Sequence, residues 1–153
     1  VLPRGRIACL CTPTLHERLI KIGFDSTLLE IDRRLLGVFG DTSIPFDLRG
    51  CSGRQIDPSL LHTFNTVVVD PPFDLIELSI VAERVRELLD YTAGYGRVIL
   101  VNQLSRKPII DRVFGDGLGL VPLPDLSKSI THESRRKISA PIEAFVFDVP
   151  TYW

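Results

Sequence analysis

The sequence predicts an α/β domain: a seven-stranded, mostly parallel sheet with helices on both faces and an antiparallel hairpin at one edge. Three observations predict it. Short apolar runs without polar alternation recur, among them RIACLC, Val67-Val68-Val69 and RVILV, and runs of this kind are strands buried on both faces. Between them lie segments with apolar residues at helical spacing, which is the pattern of a parallel sheet with crossover helices. Near the end, the strand-like stretches 118–121 and 142–148 have no helix-length apolar pattern between them, so antiparallel pairing at an edge is expected.

The elements follow in order. Arg6 to Cys11 is a short buried strand. Thr12 can cap a helix, and Pro13 suits its first position. That helix runs from about Thr14 to Ile22, with Leu15, Leu19, Ile20 and Ile22 near one face, and Gly23 ends it. Ser26 to Ile31 is the second strand, with Glu30 and Asp32 at its end. Arg33 to Phe39 forms a helical turn. Thr42 to Phe46 is a short third strand with Asp47 just past it, and Arg49 to Pro58 reads as loop. After the valine strand, Ile76, Ile80, Val81, Val85, Leu88 and Leu89 mark the clearest amphipathic helix, expected to end near Gly94 and Gly96. Arg97 to Val101 is the next strand. Lys107 to Phe114 is a short helix begun by Pro108, Leu118 to Val121 a sixth strand, and Pro141 to Val149 the last.

The 153 residues suit one domain with a single core, spanning 1–153. Eighteen basic residues nearly balance nineteen acidic ones, so only a local patch could speak for nucleic acid. No apolar run approaches the roughly 18 residues of a membrane span, and no membrane partner is expected. Val1 to Arg6 has no signal-peptide h-region and runs at once into a strand, which suggests a piece of a longer chain. Cys9, Cys11 and Cys51 lack zinc-like spacing or a completing His pair, so reduced thiols are expected and a metal site is not. That chemistry fits a cytoplasmic or nuclear (nucleolar) setting.

Asp70-Pro71-Pro72-Phe73 stops the valine strand abruptly. Pro71 and Pro72 lack N–H groups and lock φ, so neither strand nor helix passes through them. Asp70 and Phe73 are thereby presented at the carboxyl end of a buried strand, the edge where open α/β sheets bind ligands. A bland alternative is a strand-ending turn with Phe73 in the core. A basic tract, Lys128, His132, Arg135, Arg136 and Lys137, lies between the last two strands. It either meets phosphate or is a solvated loop.

The D-P-P-F tetrapeptide after a hydrophobic strand resembles the (D/N/S)-P-P-(Y/F) signature of the amino-methyltransferases. Cys11-Thr12-Pro13-Thr14-Leu15-His16-Glu17 and Leu28-Leu29-Glu30-Ile31-Asp32-Arg33-Arg34 precede it in the right order. Together, from about Arg6 to Val149, they resemble the probable N6-adenine methyltransferase family. That family includes a zinc-finger ribosomal RNA enzyme with a T-P-x-L-H-E segment. It also includes lysine methyltransferases of elongation factor 1A, with S-A-P-S and F-E-Y-D-K-R. The resemblance implies a Rossmann-like fold, S-adenosyl-L-methionine as cofactor and methyl transfer to an amine. The expected acceptor is the N6 amine of adenine, in RNA. The alternative is a lysine of a translation elongation factor, and a third reading is an inactive methyltransferase-like binding module.

Such chemistry needs an amine held in line with a sulfonium methyl group. Asp70 and the Pro71 carbonyl are the candidate acceptors for its N–H bonds, with Pro72 stiffening the turn and Phe73 stacking on a base or lining a lysine channel. Glu30 or Asp32 are candidates for the ribose hydroxyls, the alternative being a surface acid paired with Arg33 or Arg34. Asp47 is a candidate for the adenine amino group, or else an Asx turn before Gly50. No G-x-G lies between Cys11 and Leu15, so backbone groups of Cys11, Thr12 and Pro13 are left to meet the methionine end. Lys128, Arg135, Arg136 and Lys137 are candidate substrate contacts. His16 reads as a satisfied packing residue.

Overall fold

The computed structural model describes residues 5–50, 56–72, 75–90, 96–114, 121–122 and 142–149; in the last two segments only Phe145 and Val146 have described side chains. The chain runs β1 (Ile7–Leu10), α1 (Pro13–Lys21), β2 (Ser26–Glu30), α2 (Arg33–Phe39), β3 (Ser43–Pro45), β4 (Thr66–Val69), α3 (Leu78–Leu88), β5 (Gly96–Gln103), α4 (Lys107–Phe114), β6 (Val121–Pro122) and β7 (Ile142–Val149). In space the strands lie in the order β3-β2-β1-β4-β5-β7-β6. The first five in that order pair parallel, and β7 runs antiparallel between β5 and β6. Strands of three residues or more form the body of the sheet; β6 adds only two residues among those described.

Alternation along the strands sorts the two faces. Ala8, Leu10, Leu29, Val67, Val69, Val98, Leu100 and Phe145 face one layer, where α3 contributes Leu78, Val81, Ala82, Val85 and Leu88, and α4 contributes Ile110 and Phe114. Full burial of each such Leu, Val or Phe is worth about 1.5–3 kcal/mol, so this layer is the main apolar contribution to stability. Cys9, Leu28 and Val68 face the other way, towards α1 and α2.

Several boundaries differ from expectation for physical reasons. Helix α1 begins at Pro13, and Thr12 occupies the N-cap without a side-chain cap bond. Its C-terminus closes as a Schellman motif, with Gly23 at φ 83°: Gly23 N–H donates to Ile20 O at 3.1 Å and Phe24 N–H to Leu19 O at 3.0 Å. The expected apolar face of α1 is incorrect in part. Leu15 and Ile22 are exposed, and the buried residue is His16. Helix α3 stops at Leu88, short of the expected Gly94–Gly96, because residues 62–64 take its last carbonyls. His62 N–H donates to Glu87 O at 2.9 Å, and the N–H groups of Thr63 and Phe64 donate to Leu88 O at 3.1 Å. Gly96 starts β5 instead. β3 is shortened because Gly40–Thr42 is a 3-10 turn. The expected β6 residues 118–120 lie outside the described residues.

Candidate functional site

The chain leaves β1 for β2, continues outward to β3, and returns to β4 on the opposite side of β1. Strand order therefore reverses between β1 and β4, and the crevice at the carboxyl ends of those strands is the natural ligand site of the fold. Cys11 and Asp70 stand there. Leu10 is level with Leu29 on one side and Val69 on the other, so Cys11, Glu30 and Asp70 are neighbours one step past the paired residues. Two backbone bonds extend the ladders to them: Cys11 N–H to Leu29 O at 3.2 Å, and Asp70 N–H to Leu10 O at 3.2 Å.

Cys11 breaks out of β1 at φ 56°, in the left-handed region that normally calls for glycine. In place of the missing G-x-G, Cys11 alone takes a glycine-like backbone conformation at the start of this turn. Strain of this kind gathers at ligand sites. Burial pushes the Cys11 thiol up to about 12, reinforced by the negative charges of Glu30, Asp70 and Asp47. Three carboxylates thus bias this edge towards positive charge. Because Ala and Gly both remove the thiol, comparing them isolates the backbone strain. Cys11→Gly is expected to be more stable than Cys11→Ala by about 1 kcal/mol in urea denaturation, and equal stabilities would mean the turn is unstrained.

Next to it, Thr12 Oγ1 is buried and makes no hydrogen bond of ordinary geometry. Its expected capping role is therefore incorrect: its hydroxyl faces the Cys9 thiol region rather than the free N–H groups of α1. Pro13 occupies the first turn of α1, as expected.

The two acids after β2 separate clearly. Glu30 is buried, and its Oε1 accepts the N–H groups of Ile31 at 2.8 Å and Asp32 at 3.1 Å. Its second oxygen has no hydrogen-bond partner among the described residues. Asp32 instead caps α2, accepting Arg34 N–H at 2.9 Å, and both its oxygens pair with the Arg34 guanidinium, the shortest contact being 2.6 Å. The Arg34 side chain, then its backbone N–H, hold the Asp32 carboxyl at about 2. Asp47 forms the Asx turn: its Oδ1 accepts Arg49 N–H at 3.0 Å and the Arg49 guanidinium at 3.2 Å, and Gly50 N–H donates to its carbonyl.

Pro71 is buried beyond Val69, and Pro72 O accepts Leu75 N–H at 3.1 Å, closing the turn that leads to α3. Phe73 lies outside the described residues, as do Lys128, Arg135, Arg136 and Lys137. A separate groove of about 320 Å³ runs between the start of α3 and α4, lined by Glu77, Ser79, Arg106, Ile109 and Arg112.

His16 is the satisfied packing residue that was expected, and one further group escaped the sequence reading. His16 forms the centre of a buried network. Thr42 Oγ1 donates to Phe39 O at 2.8 Å, so it must accept from His16 Nε2–H at 3.0 Å. That leaves Nδ1 to accept from the Ser26 hydroxyl at 2.9 Å, and Ser26 Oγ to accept from the Cys9 thiol at 3.3 Å. Phe39 packs edge-on against the ring at 5.0 Å. The further group is Asn102, fully buried at the carboxyl end of β5. Its one sequence signal is a polar amide ending an otherwise apolar strand, RVILVN.

The described fold is that of known methyltransferases. TrmN from Thermus thermophilus aligns at TM-score 0.57 and 17% identity, covering 95% of this chain and 44% of that one. A TehB-like SAM-dependent methyltransferase from Corynebacterium glutamicum aligns at TM-score 0.56 and 15% identity, covering 96% and 81%. At these identities the likeness concerns fold alone. In sequence, residues 2–139 match the model of a family described as "Probable N6-adenine methyltransferase". Among curated proteins, "EEF1A lysine methyltransferase 1" of Gallus gallus is 37% identical over 73 residues, covering 45% of this chain and 33% of that protein. The Danio rerio protein of the same name is 32% identical over 77 residues, covering 45% and 44%. The chain thus matches less than half the length of either relative.

Proposed function

Because this chain belongs to the probable N6-adenine methyltransferase family, we propose that it is an S-adenosylmethionine-dependent N-methyltransferase whose acceptor is a lysine amine of a translation elongation factor. The observation that carries the choice of acceptor is the pair of relatives named for that activity. The residues at the crevice fit the cofactor: a left-handed turn at Cys11, a buried Glu30 with one oxygen outside its local bonds, and the unpartnered Thr12 hydroxyl. When bound, the cofactor supplies an electrophilic methyl group on a positively charged sulfur.

In this reading Asp70 and the Pro71 carbonyl accept the two N–H bonds of the neutral acceptor amine. They aim its lone pair along the line of transfer. With the cofactor held there, the nitrogen would take the methyl carbon as the carbon–sulfur electron pair stays with sulfur, and its surplus proton would leave for solvent.

A second reading, transfer to adenine N6 in RNA, has two supports: the family's description and the Thr12-Pro13-Thr14-Leu15-His16-Glu17 stretch. Both acceptors use the same grip on an NH2 group. Incubation with labelled cofactor and cell extract separates them. Label released by protease supports lysine; label released by ribonuclease overturns it in favour of adenine. Cofactor binding by calorimetry comes first, since absence of heat would mean an inactive binding module.

Of the two acids after β2, Glu30 is the one proposed to hold the ribose hydroxyls. Glu30→Gln is expected to weaken cofactor affinity about tenfold, the worth of a charge-assisted hydrogen bond. Asp32→Ala, whose carboxylate serves α2 and Arg34, should leave that affinity unchanged. The opposite ranking in calorimetry would reassign the ribose site.

A further inference from the structure

Asn102 lies on β5 with its side chain on the same face as Val98 and Leu100, and none of its surface reaches solvent. Its Oδ1 accepts Gln103 N–H at 2.8 Å, which sets the orientation of the amide. The other end, Nδ2, is buried without a hydrogen-bond partner. A buried donor left unmade is costly, so it needs a reason.

Register supplies one. Val69, the last residue of β4, is level with Leu100, so carrying that register two residues further brings Asn102 level with Pro71, just past the end of β4. Pro71 is buried there, and no donor among the described residues reaches its carbonyl. An unpartnered donor near the end of β5 and, among the described residues, an acceptor without a donor just past β4 are thus brought to one end of the sheet. The Pro71 carbonyl has two lone pairs. One can take an N–H of the acceptor amine while the other takes an N–H from the protein.

We infer that Asn102 is a positioning residue for methyl transfer, its Nδ2–H donating to the Pro71 carbonyl in the reactive state and so fixing the direction of that carbonyl. The inference rests on the N-methyltransferase reading of the same tip and holds for either acceptor. Asn102 touches neither acceptor nor cofactor; it acts through Pro71. It thereby orders a segment that two prolines have stripped of N–H groups and hence of ordinary ladder bonds.

Asn102→Asp keeps an acceptor for Gln103 N–H and exchanges the donor for a second oxygen. Its kcat is expected to fall at least tenfold at alkaline pH, with KM and cofactor affinity within about twofold of wild type. Burial raises the pKa of the new acid, and once protonated it can donate again. The ratio of variant to wild-type kcat should therefore recover as pH falls, a signature that a merely structural asparagine would not give. A pH-independent ratio, or an unchanged kcat, overturns the inference. A wild type that transfers no methyl group overturns the underlying reading instead, which keeps the two failures distinct. Melting of Asn102→Asp is read beside kcat at each pH: a fall in kcat with the folded fraction unchanged supports the inference, and a fall that only tracks unfolding overturns it.

Discussion

Asp70→Ala is expected to lower methyl transfer by about 10²- to 10³-fold, the usual cost of removing one preorganised polar contact to a reacting group. The reason lies in where Asp70 stands. Its N–H holds the end of β4 to Leu10 O, so the backbone stays in place when the side chain is cut back. Calorimetry on the same variant should show cofactor affinity within a few-fold of wild type, because Glu30 and the Cys11 turn are untouched. Circular dichroism melting of the variant is read alongside, so that transfer is compared at equal folded fraction. Equal loss of transfer and cofactor affinity would make Asp70 a structural residue of the crevice. An active variant would remove the proposed grip altogether.

His16→Leu should have the largest effect on stability. Leucine roughly preserves volume beside Phe39, but it leaves the Ser26 hydroxyl without its acceptor and the Thr42 hydroxyl without its donor. The buried Ser26 hydroxyl is the group left unpaired, since the exposed Thr42 keeps its bond to Phe39 O; this costs about 1–3 kcal/mol, measurable by urea denaturation, and a loss under about 1 kcal/mol would mean water replaces the ring. The wild type carries a matching pH signature. Burial holds the His16 pKa below the ordinary 6.5. In the unfolded chain the imidazole takes up its proton near 6.5, while the folded chain resists until lower pH. The unfolded state therefore binds more protons in that window, and stability falls as pH drops below 6.5 until the folded pKa is passed. Above 6.5 the contribution is complete. His16→Leu should show a flatter stability profile between pH 7 and 5; an unchanged slope would assign the effect to other groups. The network joins α1, β2 and the turn before β3, all on the proposed cofactor side. Its loss should therefore weaken cofactor affinity as well.

The order of strands and helices was legible because the central strands carry apolar runs with no polar alternation, IACL in β1, VVV in β4 and VILV in β5, and many breaks are marked by Pro, Gly or an acid. The edge hairpin was legible too, from the lack of a helical pattern before the last strand. Helix ends were less so. α3 stops where residues 62–64 take its carbonyls, and that competitor lies more than twenty positions back along the chain. The face of α1 was misread because hydropathy ranks leucine above histidine, whereas a histidine with both nitrogens bonded buries readily.

The site divides the same way. The residues Asp70, Pro71 and Pro72 stood out in the sequence, since a strand of valines ending in an acid and two prolines has few other uses. Only the folded chain could separate Glu30 from Asp32, because the two acids are two positions apart and alike in type, and their roles depend on which finds Arg34 and the start of α2. The glycine-like turn at Cys11 was likewise invisible, as it leaves no trace in residue type, and the polar amide ending RVILVN did not say which neighbouring segment Asn102 would stand level with. Local sequence determined which elements form and what chemistry ends β4. Tertiary structure decided which polar groups are already bonded and which remain for a ligand, because hydrogen-bond partners come from strands and turns distant along the chain.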